Sequence, residues 1–315
     1  MSISDLSIII VSFNTKELLK NCIKSIYQTV RNRSYEIIVV DNASSDGSPD
    51  LIEKEFEGIT VIKNKENLGF ARANNQAIKL AKGGCILLLN SDTILREGAV
   101  GTLLDFIAKN PDAAAIGPKV LSSDESLQNK GFLFPSIMFS MLVLSGINKF
   151  LDEKLKCRIF PKFYWDENDV REVDYLEGSC FLMKREAVNI VGLLPEVYFM
   201  YFEEAEWCYR AKKHGYKIWY VPTARVIHLH SSSSLDGNGK IFENSLLLFY
   251  KRNIGTVKGV LIAALMISAS CVDFIICSLF EKDETKLRKI KVQLNRQITL
   301  LKGLSGLDRM LKTRA

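Results

Sequence analysis

The 315-residue sequence has no GxGxxG after its first apolar run, where SFNTKE stands instead, and no GxxxxGK[ST] anywhere. Such loops let a backbone approach a dinucleotide pyrophosphate or cradle a nucleoside triphosphate. Their absence argues against a nicotinamide dehydrogenase and a P-loop nucleotidase. None of the seven cysteines forms CxxC, and the three histidines show no finger-type pairing, so a structural zinc site has no sequence support. Scattered thiols with apolar neighbours read as buried free cysteines in a reducing compartment. The start, MSISDLSIII, has no basic n-region and reads as a first strand rather than a leader. The net charge of +6 is too small to argue for nucleic acid, although it suits phosphate-bearing substrates or an anionic membrane surface. Hydrophobic content of 47% and charged content of 25% are ordinary for a folded chain.

What is present is organised around ILLLNSDT, Ile86 to Thr93. Four apolar residues without alternation read as a short strand covered on both faces, as in a parallel sheet. Ligands of open α/β sheets sit at the carboxyl ends of strands. Asp92 therefore stands where a hard oxygen donor could meet Mg²⁺ or Mn²⁺ and, through it, phosphate. Asp is also a favoured helix N-cap, and that reading stays open.

Around it, apolar runs and helical periods alternate. Strands are expected at 6–14, 35–41, 60–64, 86–92 and 113–121, with helices at 16–29, 49–56, 97–109 and one opening near Gly69. Thr15 is a candidate cap for the first helix. This βαβαβ succession implies a doubly wound α/β fold with a mostly parallel sheet. Residues 122–170 lose the pattern. They read as an irregular insertion that contacts an acceptor or a membrane, or as a helical pair packed on the core. Order returns with a strand near 178–183, a helix from Arg185, a helix opening at Glu203-Glu204-Ala205-Glu206, and the strand KIWYVP. Three acids at a helix start also suit the positive end of the dipole.

Taken in order, SIIIVSFN, VVDNASSDGS, NKENLGFARANN, LLLNSDT, EGSCFLMKREA, YFEEAEWCYR and VIHLHSSSS resemble the motifs of the GT-A fold, family 2 inverting glycosyltransferases. The likeness is to the rhamnosyltransferase-type branch that builds bacterial surface polysaccharides, and it runs from about residue 7 to 252. The resemblance implies a Rossmann-like GT-A catalytic domain over 1–252 and a nucleoside-diphosphate-sugar donor of dTDP or UDP type. It implies that Ser12, Asn14, Asp41 and Asn42 meet the nucleoside. Asn67, Gly69 and Arg72 match the next donor motif. Gly69 would let backbone approach a ligand, and Arg72 would pair with phosphate. Asp41 as a turn-forming Asx residue and Arg72 as a plain surface cation remain alternatives.

Asn90-Ser91-Asp92 stands where the family writes Asp-x-Asp, so one carboxylate is an amide. By resemblance Asp92 and His228 hold Mn²⁺ or Mg²⁺, with His230 a weaker match and a core histidine the alternative. Glu203-Glu204-Ala205-Glu206 matches the family's Glu-Asp-x-Asp. Glu204 falls at the base position, and Glu203 and Glu206 are alternatives because Glu is one methylene longer than Asp. The implied acceptor is a glycan or polyprenyl-linked hydroxyl, with rhamnose the first sugar to consider. Two rivals remain: a nucleotidyltransferase, and a membrane-tethered scaffold without activity.

Residues 253–315 are hydrophobic, then basic. From Val260 to Leu279 about twenty mostly apolar residues match a bilayer's thickness, although Asp273 lies within them. A basic tail follows, with Lys286, Arg288, Lys289, Lys291, Arg296, Lys302, Arg309, Lys312 and Arg314. A single span would export that tail against the positive-inside tendency. The expectation is a re-entrant, in-plane or paired helix, with peripheral or monotopic attachment to the cytoplasmic side of the bacterial inner membrane. The alternative is a soluble helical segment that forms homo-oligomers.

Overall fold

The computed structural model of the chain describes residues 5–147, 150–229, 239–281 and 283–305. It divides into two compact units, Met1–Leu133 with Glu167–Gly237, and Phe134–Asp166 with Asn238–Ala315.

The first unit is an α/β layer structure. Its early strands are β1 (Leu6–Ser12), β2 (Tyr35–Asp41), β3 (Thr60–Lys63) and β4 (Cys85–Asn90). Helices α1 (Lys16–Thr29), α2 (Ser48–Glu55) and α3 (Gly69–Leu80) join them. Ile8, Ile9 and Ile10 of β1 and Ile86 to Leu89 of β4 are all fully or nearly fully buried. That lack of alternation is what burial on both faces requires. β1 pairs in parallel with β2 and β4. Ser12 lies opposite Asp41, and Val11 opposite Asn90, so three strand ends bring Ser12, Asp41 and Asn90 to one edge.

Next come β5 (Thr93–Leu95), α4 (Ala99–Lys109), β6 (Ala113–Leu121) and β7 (Leu127–Asn129). A strand follows Asp92 directly and α4 begins only at Ala99, so Asp92 is not a helix cap. After residue 166 come β8 (Arg171–Val173), β9 (Cys180–Lys184), α7 (Arg185–Val191), α8 (Glu203–Lys213) and β10 (Lys217–His228). The sheet order is β3-β2-β1-β4-β9-β6-β10-β5, with β7 on β6 and β8 on β10. β1 to β4, β6 and β10 run one way, so the sheet is mostly parallel, while β9 is wedged antiparallel between β4 and β6. The sequence reading stopped a strand at Pro222. In fact β10 continues to His228, with a register shift between Val221 and Arg225 where proline cannot donate to the ladder. That continuation carries His228 to the position opposite Thr93.

The second unit is helical: α5 (Ile137–Ser145), α6 (Glu153–Ile159), α9 (Gly239–Phe249), α10 (Thr256–Ile276) and α11 (Glu284–Ser305). The stretch that lost its pattern thus holds two short helices, capped by the Ser136 and Asp152 side chains. α10 packs along α11 and against α5. A Cβ on Gly259 would stand 3.0 Å from Leu304 Cδ1, and one on Gly303 2.6 Å from Leu247 Cδ2. The start of α10 therefore meets the end of α11, so the two helices run antiparallel. Among the described residues one helical stretch, Thr256–Leu279, is long and apolar enough to cross a membrane.

Candidate active site

The strand-end edge of the sheet gathers most of the expected residues. Asp92 Oδ1 lies 3.2 Å from His228 Nε2, and both side chains are largely buried. The fold brings them together because β5 pairs antiparallel with the end of β10, and Leu229 N donates to Asp92 O at 2.9 Å. The other imidazole nitrogen, Nδ1, is 2.7 Å from Gln128 Oε1. An amide oxygen can only accept, so Nδ1 carries the proton there, and in the neutral ring the Nε2 lone pair faces Asp92. Burial works against protonation of His228, but the hydrogen bond and charge of Asp92, with the charge of Glu177, outweigh it and raise the pKa above that of a free imidazole.

A carboxylate oxygen and an imidazole lone pair converging at a strand end form a donor set that suits Mn²⁺ or Mg²⁺. Among the described residues no group of three or more His, Cys, Asp or Glu side chains forms a closed cage. A metal ion held by the pair would draw its remaining ligands from substrate oxygens or water. Asn90 Nδ2 approaches His228 Nε2 only at 3.5 Å. His230 lies outside the described residues.

The acidic helix α8 opens beside this pair. Gly178 N donates to Glu204 Oε1 at 3.1 Å, while Glu204 Oε2 is buried with no hydrogen-bond partner. Burial pushes the Glu204 carboxyl up to about 7, with the Glu177 charge adding to the shift and the N–H groups of Glu204 and Gly178 opposing it. Glu203 is 2% exposed, and burial followed by the charge of Glu204 raises its carboxyl well above the usual range. Glu206 instead accepts from the Tyr198 hydroxyl at 2.7 Å. Residues 177–179 tie this helix start to the strand end: Ser179 O accepts from Asn90 N at 3.0 Å and from Thr93 Oγ1 at 3.1 Å. The charge of Glu177 acts on both His228 and Glu204, so the two lie within reach of one carboxylate.

The nucleoside-side residues divide. Asp41 is 3% exposed; its Oδ2 accepts from Ser44 N, but its Oδ1 is buried with no hydrogen-bond partner. Ser12 Oγ, Thr15 Oγ1 and Ser91 Oγ form a chain of 2.9 Å contacts. Thr15 therefore does not cap α1 with its side chain; Asp46 Oδ2 accepts from Lys16 N instead. Asn14 has φ +54 and its Oδ1 accepts from Ser45 N, which fixes the turn after Asp41. Asn42 donates to Gly69 O and accepts from Asn64 Nδ2, so its amide ties two loops together. Asn67 Oδ1 accepts from Gly69 N. Gly69 has φ +78, and a Cβ there would stand 2.2 Å from Phe199 O, so only glycine fits. Arg72 is 58% exposed and 3.9 Å from Glu196, in a recess of about 340 Å³ that Asn67 and Phe199 also line.

Sequence reasoning missed Gln128 and Asn129. Gln128 holds the His228 ring, and Asn129 Nδ2 donates to Glu177 Oε2 at 2.6 Å. A three-residue strand shows no period, so no sequence signal marks the pair. Gln128→Leu is expected to weaken Mn²⁺ binding about 10–100-fold, the usual effect of losing the partner that orients a ligating histidine. Calorimetric titration of the free protein with Mn²⁺ checks it, and unchanged affinity would make Gln128 only a packing residue.

The sheet order, the strand-end edge and the flanking helices are those of the GT-A fold. Two solved structures share the fold. GalNAc-T7 with UDP, GalNAc and Mn²⁺ superposes with TM-score 0.63 at 18% identity, over 93% of this chain and 55% of that one. The mannosyltransferase PcManGT from Pyrobaculum calidifontis, with GDP-Man and Mn²⁺, gives 0.60 at 14% identity, over 95% and 86%. In sequence, the chain is 28% identical over 221 residues to the N-acetylglucosaminyl-diphospho-decaprenol L-rhamnosyltransferase of Mycobacterium tuberculosis, covering 64% of this chain and 69% of the relative. It is 27% identical over 235 residues to the low-salt glycan biosynthesis hexosyltransferase Agl10 of Haloferax volcanii, covering 72% and 67%. Residues 7–190, more than half of the chain, match the glycosyl transferase family 2 model, and the chain belongs to that family.

Proposed function

We propose that this glycosyltransferase moves a sugar, rhamnose first among candidates, from a dTDP- or UDP-linked donor to a hydroxyl of a surface glycan or polyprenyl-linked acceptor, with inversion. The observation that carries the reading is the 3.2 Å approach of Asp92 to His228 at the strand ends, with Glu204 bonded to Gly178 of the same 177–179 segment that accepts from Asn90 and Thr93. Support for the sugar comes from the rhamnosyltransferase relative, whose name gives N-acetylglucosaminyl-diphospho-decaprenol as its acceptor.

In this reading Asp41 Oδ1 accepts the imide N–H of a uracil or thymine ring, a donor its buried oxygen otherwise lacks. Ser12 and Asn14 line the same nucleoside end. Asp92 and His228 would hold Mn²⁺ or Mg²⁺, and the bound ion would supply Lewis-acid stabilisation of the charge on the diphosphate. Glu204 accepts the proton of the acceptor hydroxyl as its oxygen bonds to the anomeric carbon from the face opposite the diphosphate. The bond from that carbon to the diphosphate oxygen breaks, and its electron pair leaves with the diphosphate. A carboxyl with a pKa near 7 suits this task because it is both basic enough and partly ionised at neutral pH. Glu203 is buried more deeply, and burial disfavours its ionised form, which suits it less to the role than its neighbour.

The test is a panel of radiolabelled dTDP- and UDP-sugars, with a polyprenyl-diphosphate-linked acceptor and Mn²⁺. Transfer from dTDP-rhamnose with an inverted anomeric centre is expected, and chelation should abolish it. Turnover of another donor would replace the sugar; no turnover of any donor would favour a scaffold.

A further inference from the structure

The α10–α11 hairpin pairs an apolar helix with a basic one. Along α10, Val257, Leu261, Ala264, Ser268, Val272 and Ile275 recur at helical spacing and are exposed, with Val257 at 85%, and exposed Leu279 continues the spacing in the turn beyond its end. Only 28% of the most apolar window is buried. The buried line, Gly259, Ile262, Ala263, Ala269 and Ser270, is narrow. Along α11 stand six cations, Lys286, Arg288, Lys289, Lys291, Arg296 and Lys302, against one acid, Glu284. All six are exposed. Arg296 lies over the Phe242 ring and Lys291 over Phe274, so these stems run along apolar surface while their charges reach water.

We propose that this hairpin lies flat on an anionic bilayer, with the exposed α10 stripe in the headgroup–acyl boundary and α11 cations on lipid phosphates. The hairpin itself argues against a span. α11 is packed antiparallel along α10, so a membrane-crossing α10 would draw several Lys and Arg into hydrocarbon, where charged side chains are costly. If α10 crossed alone, it would lose the close fit of Gly259 against Leu304. A flat placement keeps that packing, hides the apolar stripe and pairs each charge with its opposite. Asp273, half-buried on α10, then stays near the interface and not at mid-bilayer. This inference does not depend on the transfer reading, since it concerns lipid binding alone.

Co-flotation of the full-length protein with vesicles tests it, with no donor present. Binding is expected to phosphatidylcholine vesicles containing about one-third phosphatidylglycerol and to be much weaker on phosphatidylcholine alone. It should weaken as salt rises from about 0.1 to about 0.5 M. The triple variant Lys286→Gln, Arg288→Gln, Lys289→Gln touches only exposed side chains and should lose about 100-fold in partitioning, about fivefold per charge. An environment-sensitive fluorophore on exposed Cys271, and on cysteines placed at 257, 264 and 279, should report one uniform shallow depth. A depth gradient along those positions would mean a span and overturn the proposal. A lipid-independent dimer that shields the same positions would overturn it too, as would failure of the folded protein to float.

Discussion

Replacing Glu204 by glutamine is expected to lower kcat by about 10²–10⁴-fold, the range general-base help supplies, with donor affinity unchanged. Gln keeps the shape and can still accept from Gly178 N through its amide oxygen, so the loss would report the missing proton acceptor rather than a collapsed loop. The pH profile adds a second readout. A base works when ionised, and burial holds Glu204 at about 7. The rate of the unmodified enzyme should rise through neutral pH and level off above it, and the variant should lack that limb. Stability runs the other way. A carboxyl whose folded pKa is raised binds its proton more tightly when folded. Its favourable contribution is therefore full below the ordinary value of 4.5 and is lost as pH climbs to about 7. The glutamine variant should accordingly show a flatter fall of Tm across that window. A variant with near-normal transfer would remove Glu204 from the base role.

The second large effect is expected at Asp92. Asp92→Asn should cut transfer by about 10²–10³-fold, the several kcal/mol a bound cation contributes to a leaving diphosphate at about 1.4 kcal/mol per decade. A separate readout needs no turnover. Asp92 supplies the hydrogen bond and charge that hold the His228 pKa up, so without them burial dominates and the imidazole should titrate lower. Proton NMR of the His228 ring, followed through its titration, checks this. An unchanged His228 pKa would mean that the 3.2 Å pairing does not persist in solution.

Much of this site was legible because strand ends announce themselves. Ile86 to Leu89 run apolar into Asn90-Ser91-Asp92, and Val39 and Val40 run into Asp41 in the same way. An unalternating run that stops at a carboxylate needs no tertiary information to be read. The parallel core followed from the same runs. Antiparallel β9 did not, because a strand's direction depends on how the chain enters the sheet, and Cys180 to Lys184 reads the same either way. Pro222 looked like a terminus, yet a register shift carries β10 past it to His228. Gln128 was invisible for another reason. Its importance lies in meeting a ring a hundred residues away, and nothing local encodes that. Thr15 looked like a cap, but its hydroxyl turns to Ser91 while Asp46 from the next loop serves the helix. Short polar side chains have several competing partners, and tertiary structure selects among them.

The chain leaves its α/β unit at residue 133, returns at 167, and finishes the helical unit only after 238. During synthesis, α5, with Met138, Met141, Leu142 and Leu144, leaves the ribosome long before its packing partner α10 exists. At about 5–20 residues per second, the gap of roughly 100 residues lasts on the order of 5–20 seconds. Phe163 and Tyr164 soon meet Phe139, but for that interval the face of α5 that packs on α10 stays uncovered, so a holdase chaperone or a nearby membrane would be its natural shelter. Slowing translation should lengthen this exposure and raise the aggregated fraction, while the α/β unit, whose last strand is complete at His228, gains time to close.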